Sequence, residues 1–176
     1  MIRKVIQRAT TAAWSALVLA LTPGHWAQAH GVHQHGVARL EVAVEGAQLV
    51  IRLDSPLDNL LGFERAPRTA AERTAAAALI KRLESAQGLF LTSPVAGCTL
   101  ASAEVEAPVL QGGSAREHAD LVAEWRYTCR APERLTGLRV LLFKDYPRLR
   151  RLDAAVVGPR GQRAAQLTAR LPDLAW

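Results

Sequence analysis

The segment 37–56 restricts the fold of this chain most strongly, because apolar and polar residues alternate along it. Its regularly spaced apolar positions are Leu40, Val42, Val44, Leu49, Ile51 and Leu53. Alternation with a period of two residues is typical of a half-buried strand, and Gly46 supplies a turn between two such runs. The segment therefore predicts a β-hairpin with one face in the core.

One helix is predicted over residues 69–85. Thr69 and Glu72 fit a capping box, in which the threonine side chain caps the helix and the glutamate reaches back to the threonine backbone. Apolar residues at helical spacing, with many alanines among them, form a face that can approach a sheet closely. We expect this helix to pack on the sheet that the strands form.

The remaining apolar runs predict further strands at residues 98–110, 121–130, 138–144, 152–157 and 162–171. The loops between consecutive strands are too short for parallel crossover connections. We therefore predict an α+β fold, an antiparallel β meander of about seven strands with one main α-helix packed on the sheet.

Residues 1–29 are typical of a secretory signal peptide. Basic residues precede an uncharged apolar stretch at 11–21, which is shorter than the roughly 20 residues of a membrane span. The Ala-Gln-Ala sequence at 27–29 fits the cleavage rule for small residues. We expect export and cleavage after Ala29 rather than an uncleaved anchor, which leaves residues 30–176 as a single domain without a membrane span.

The charge of the exported chain excludes one class of partner. Loss of the three basic residues of the signal lowers the formal net charge from +6 to +3. That small excess is spread along the chain, apart from a basic run at 148–151 that is typical of a solvated turn or strand edge. We therefore expect no nucleic-acid partner.

Two cysteines, Cys98 and Cys129, are present in the chain. An exported protein meets an oxidising compartment, where a cysteine pair usually forms a disulfide. The bridge would close a loop of about 30 residues and stabilise the fold by roughly 3–4 kcal/mol. The alternative, two thiolate ligands of a zinc ion, is less favoured in that compartment.

Three histidines, His30, His33 and His35, fall within six residues. On a strand, His33 and His35 would project to the same side, about 6.5–7 Å apart. If cleavage follows Ala29, His30 also offers a free α-amine as a ligand. Imidazole and amine nitrogens suit zinc, copper or nickel, so the cluster predicts a metal site. Incidental chelation by a polar chain end is the alternative.

His118 is the next candidate metal ligand, and Glu117 and Asp120, beside it in the same polar loop, are weaker ones. The alternative is that His118 is a solvated loop residue. Asp54, Asp58 and Glu64 are scattered carboxylates of the kind usually found on a surface. The sequence contains no G-x-S-x-G elbow, phosphate-binding loop or H-E-x-x-H motif, so we expect no enzymatic activity.

Three motifs follow one another in a recognisable order. They are H-x-H-G-x-A-x-L at 33–40, S-P-x-x-N-x-x-G-F-E at 55–64, and the G-C and Y-x-C pair around Cys98 and Cys129. In these motifs, and over essentially the whole of residues 30–176, the chain resembles the ZrgA-like family of bacterial periplasmic zinc-uptake accessory proteins. That family was long catalogued as a domain of unknown function.

The resemblance implies a small periplasmic α+β protein that binds zinc and assists its import. Family members typically carry a long loop rich in histidine, aspartate and glutamate between the two cysteine-bearing strands, where this chain has only His118. They also usually have a histidine after G-F-E, where this chain has Arg65. The resemblance therefore implies that the N-terminal histidines are metal ligands in this chain, and that His118 is what remains of the family's histidine-rich loop.

We thus expect a non-catalytic periplasmic protein that binds zinc and assists zinc uptake or homeostasis, with copper or nickel as other ions. Its expected partner is a zinc ABC importer or the solute-binding protein of that importer. One alternative is a protein–protein interaction module of the cell envelope whose histidines are incidental. Another is a copper-binding protein that uses the mature N-terminal histidine.

Export should leave His30 as the first residue of the mature chain. The intact mass of protein purified from periplasmic extract should then equal that of residues 30–176, less two hydrogens for the disulfide. A mature chain that begins elsewhere would exclude the amine of His30 as a metal ligand.

Overall fold

The computed structural model describes residues 34–112 and 119–176. Within them the strands are β1 (Val37–Glu45), β2 (Gln48–Pro56), β3 (Phe90–Thr92), β4 (Cys98–Glu106), β5 (Asp120–Cys129), β6 (Gly137–Val140), β7 (Arg151–Gly158), β8 (Gly161–Leu167) and β9 (Asp173–Ala175). The α-helices there are α1 (Asp58–Leu61), α2 (Ala70–Ser85) and α3 (Leu142–Asp145). One main helix among many strands confirms the predicted α+β class.

Six strands form the main sheet, in the order β4-β5-β2-β1-β7-β8. Neighbouring strands pair antiparallel except β1 and β7, which run parallel with Val37 opposite Arg151. The predicted antiparallel meander is therefore largely present, with one parallel pair added. Short loops exclude parallel pairing only between strands that follow each other in the chain. Because β1 and β7 are separated by most of the domain, the chain can return in the same direction.

Three short strands form a second sheet, in the order β3-β6-β9. The strand predicted at 138–144 is wrong in its second half, because β6 stops at Val140 and α3 follows. Leu142 and Phe143 are both buried. Consecutive residues of a strand point to opposite faces, whereas a helical turn can bury both.

The strand predicted at 162–171 also ends early, at Leu167. Thr168 and Leu171 exchange two backbone hydrogen bonds of 3.1 and 3.0 Å. These bonds close a tight turn that leads the chain into β9.

The core lies between the main sheet and α2. The six alternating apolar positions of the β1–β2 hairpin are all buried, as are the helix residues Ala76, Leu79 and Leu83. Trp125 of β5 is fully buried, and its indole Nε1 donates a hydrogen bond of 2.7 Å to the carbonyl of Leu83. This bond ties α2 to the sheet, and it leaves no unpaired hydrogen-bond donor on the buried indole.

Helix α2 begins with the predicted capping box. The Thr69 hydroxyl accepts the N–H of Glu72 at 3.1 Å, and the Glu72 carboxylate accepts the N–H of Thr69 at 3.2 Å. The Arg65 guanidinium donates to both oxygens of that carboxylate, at 3.0 and 2.6 Å, and the N–H of Arg68 donates at 2.6 Å. The bond from Arg65, followed by that from Arg68, lowers the pKa of Glu72 from its ordinary 4.5 to about 2.

Cys98 and Cys129 form the predicted disulfide. They are register partners, at the first residue of β4 and the last of β5, with Cα atoms 3.8 Å apart. The bridge joins the two strands at one end of the sheet. Since both sulfurs are consumed by it, this pair is not available as zinc-binding thiolates.

Replacing Glu72 by glutamine should lower stability at neutral pH and flatten its acid dependence. A carboxylate whose pKa is lowered by folding contributes stability above its ordinary pKa, here 4.5, and loses it as pH falls toward about 2. The thermal midpoints of wild type and Glu72→Gln should therefore differ most at neutral pH and converge as the pH falls toward about 2. Differential scanning fluorimetry across pH measures this difference.

The matched control is Glu84→Gln, which changes an exposed glutamate on the same helix. It should leave the pH profile nearly unchanged. If wild type and Glu72→Gln had equal midpoints at neutral pH, Glu72 would not hold the start of α2 as described.

Candidate metal centre

His35 lies in a tight turn directly before β1. The turn is closed by a backbone hydrogen bond of 3.0 Å from Val37 to the carbonyl of Gln34. Gly36 has a positive φ of 84°, and a Cβ there would lie 2.3 Å from Nε of Arg150. The left-handed backbone favours glycine here, and a larger residue would also displace the guanidinium of Arg150. The sequence thus fixes the direction in which the chain enters the sheet.

The buried amide of Asn59 holds this turn against the end of β2. Its Oδ1 accepts the N–H of Gly36 at 2.6 Å, and its Nδ2 donates to the carbonyl of Val37 at 2.9 Å. The same Nδ2 lies 3.2 Å from the hydroxyl of Ser55, which is also buried. Asn59 therefore joins α1, β2 and the histidine-bearing turn in one network.

The basic run at 148–151 secures the turn from the other side. The backbone N–H groups of Arg150 and Arg151 donate to the carbonyl of Gly36 at 2.8 and 2.9 Å. The guanidinium of Arg150 donates to the carbonyl of His35 at 3.0 Å. These bonds all involve the backbone of the turn, so they leave the imidazole of His35 exposed.

Two carboxylates lie beside the imidazole of His35. Oε1 of Glu64 is 3.3 Å from Nε2, and Oδ2 of Asp58 is 4.0 Å from Nδ1. Asp58 is also 3.6 Å from Nη1 of Arg148. The His35 side chain is 61% exposed and that of Glu64 is 34% exposed, whereas that of Asp58 is only 18% exposed. The imidazole of His35 is thus open to solvent and Glu64 is partly open, whereas Asp58 is mostly buried.

The described residues do not make a complete metal site on their own. Within residues 34–112 and 119–176, no group of three or more histidine, cysteine, aspartate or glutamate side chains is arranged to hold a metal ion. The geometry around His35 gives the reason, because Asp58 and Glu64 face different ring nitrogens. An ion bound to one nitrogen would lie away from the carboxylate at the other.

Of the ligands predicted from sequence, His35 and Asp120 lie within the described residues. His30, His33, Glu117 and His118 lie outside them, as does the predicted signal peptide at 1–29. Asp120 is the first residue of β5 and the register partner of Pro56, the last residue of β2. It therefore begins its strand at the end of the sheet where the His35 turn enters.

Sequence reasoning missed the surroundings of His35. Asp58 and Glu64 were expected to be scattered surface carboxylates, and neither was expected beside His35. Arg148 and Arg150 are exposed, as expected for a solvated turn, but their contacts with Asp58 and with the carbonyl of His35 were not predicted. Asn59 and Glu64 both belong to the motif at 55–64, which carried the family resemblance. That motif was the one sequence signal for these surroundings, but a motif does not show that its residues face the N-terminal histidines.

Comparison with known proteins identifies the class to which this chain belongs. The family model described as "ZrgA family zinc uptake protein" matches residues 32–176. The chain therefore belongs to the ZrgA family of zinc uptake proteins, as the resemblance predicted. No curated protein matches it. Among residues 34–112 and 119–176, no helix has the length and apolar character that a membrane span requires.

Replacing Asn59 by alanine should destabilise the protein, because it removes bonding partners of Gly36, Val37 and Ser55 together. Each buried polar group left without a partner costs about 1–3 kcal/mol. Chemical denaturation should therefore show that the free energy of unfolding falls by at least that amount. Ser55→Ala removes only one of these contacts and should cost less. If Asn59→Ala were as stable as wild type, the turn would not depend on this amide.

Proposed function

We propose that this protein is a non-catalytic, zinc-binding protein of the periplasm that assists zinc uptake. The observation that carries the proposal is membership of the zinc uptake family over residues 32–176. The exposed imidazole of His35 also supports the proposal. The turn that carries His35 is held through backbone hydrogen bonds, so a metal ion can reach the ring without unfolding the turn. The signal peptide predicted at 1–29 would deliver the domain to that compartment.

The proposed ligands are His30, His33 and His35. Zinc takes imidazole nitrogens at about 2.0–2.1 Å and favours four ligands in a tetrahedron. The amine of a mature N-terminal His30 would add a further nitrogen. Such donors also accept copper and nickel. We favour zinc because the family is one of zinc uptake proteins.

The proposed role is carriage of the ion rather than chemistry on a substrate. Transfer of zinc to an importer requires only that ligands on one protein replace those on another. An exposed site at a chain end suits such an exchange, since a second protein can approach the ion from the solvent side. The proposed recipient is a zinc ABC importer or its solute-binding protein.

Isothermal titration of residues 30–176 with Zn²⁺ tests the proposal. We expect binding with a stoichiometry near one, and loss of most of the heat in the double variant His33→Ala with His35→Ala. Affinity should fall as pH is lowered through the range where imidazoles become protonated, because only neutral histidine binds the metal.

The matched control for the double variant is Gln34→Ala, which alters an exposed side chain of the same segment without removing an imidazole. It should bind zinc as wild type does. Wild-type protein that gives no binding heat, or a double variant that binds unchanged, would contradict the proposal.

A further inference from the structure

We infer that two copies of this chain associate through β8, so that their main sheets join into one continuous sheet. β8 is the last strand at one edge of the main sheet, and β7 is its one partner strand in the part of the chain that the structure describes. The inference is independent of the proposed function, because the surface involved contains no proposed metal ligand.

The backbone groups of β8 that point away from β7 are placed to bind a further strand. In an antiparallel pair, opposite residues alternate between pairs that exchange hydrogen bonds and pairs that do not. The tight turn after β7 closes on the Gly158–Gly161 pair, which therefore exchanges bonds. Along the register from that pair, Gln162, Ala164 and Gln166 direct both N–H and C=O toward the open edge.

Nothing in the described residues 34–112 and 119–176 occupies this edge. No hydrogen bond from another segment there reaches the outward-facing backbone of Gln162, Ala164 or Gln166. All three residues are exposed. A row of unpaired N–H and C=O groups on an edge strand is a template for pairing with another strand.

The opposite edge of the sheet differs from β8, because β4 carries features that hinder such pairing. It has a β-bulge between Leu100 and Ser102, and its side chains Glu104 and Glu106 are exposed. Bulges and charged side chains are common means by which proteins block an edge strand. β8 has an unbroken register with β7, no proline and one charged residue, Arg163. Of the two edges, β8 is therefore the one that is open to pairing.

The sequence of β8 identifies a second copy of the same strand as its partner. With Ala164 opposite Ala164 of the second copy, Gln162 lies opposite Gln166 of that copy. Each of these pairs then exchanges two backbone hydrogen bonds. A shift of two residues in either direction would place Gln162 or Gln166 opposite a residue outside β8. The register centred on Ala164 is thus the one that pairs every outward-facing residue of the strand.

The charges of β8 are compatible with this register. Arg163 lies opposite Ala165 of the second copy, so no like charges face each other directly. The Arg163 guanidinium is held within its own copy, where it donates to the carbonyl of Ala175 at 3.4 Å. A two-fold axis at Ala164 closes both open edges at once and leaves the two blocked β4 strands outermost. The assembly therefore stops at a dimer.

Sedimentation velocity of residues 30–176 over a wide range of protein concentration tests the inference. We expect wild type to approach twice the monomer mass as the concentration rises. Ala164→Pro should raise the dissociation constant of the dimer about tenfold or more, because it removes both hydrogen bonds of the central pair. The N–H that proline removes faces away from β7, so the β7–β8 pairing should be kept.

A charge exchange at the same position tests the register. Ala164→Glu and Ala164→Lys each place like charges opposite each other, so each variant alone should dimerise less than wild type. An equimolar mixture of the two should regain association, because a glutamate then faces a lysine. The matched control is Ala43→Lys, which alters an exposed alanine of β1, a strand with neighbours on both sides. It should dimerise as wild type does.

Wild-type protein that stays monomeric at the highest concentration would overturn the inference, whether or not its β8 edge binds a peptide of another protein. Dimers that persist unchanged in Ala164→Pro and in both charged variants would also overturn it, since they would use another surface. Weakened charged variants that do not recover when mixed would contradict the pairing of Ala164 with itself. Circular dichroism and thermal midpoints establish that each variant is folded, and the charged variants keep the test decisive if the proline variant is not.

Discussion

The side-chain amide of Asn59 is the interaction on which the geometry around His35 depends. It is almost fully buried, and it bonds the backbone of Gly36 and Val37, where the turn leads into β1. The turn is thus held through Gly36 and Val37, while the imidazole of His35 is left free. Such a separation between the groups that fix the backbone and the side chain that faces solvent is what the proposed ligand role of His35 requires.

Arg65 shows how one substitution alters the expected metal chemistry of the family. The resemblance implies a histidine at this position, but a guanidinium is a permanent cation without a lone pair for a metal. Here Arg65 instead pairs with Glu72 and holds the start of α2. In this chain the position is therefore structural, and Arg65 itself cannot be a metal ligand.

The features that could be predicted from sequence depend on local patterns. Alternation located the β1–β2 hairpin, the capping box located the start of α2, and the cysteine pair formed the expected bridge. The parallel β1–β7 pair and the second sheet could not be predicted, because they join distant segments and two of their strands have only three residues.

The same limit applies to the candidate site. The histidines were visible as a cluster, but the contacts around His35 are long-range, with Asn59 lying 23 residues from Gly36 and Arg150 lying 115 residues from His35. Such pairings follow from the order of strands in the sheet, which a single sequence does not reveal.

The position of the disulfide has a consequence for how this domain can change over evolution. Because Cys98 and Cys129 fasten β4 to β5 at one end, the connection at the other end can vary in length while the register of the two strands is kept. Doubling the length of a flexible loop costs only about 0.6 kcal/mol in closure entropy. A long insert, such as the family resemblance implies, and a short one can therefore be accommodated on the same scaffold without a new fold.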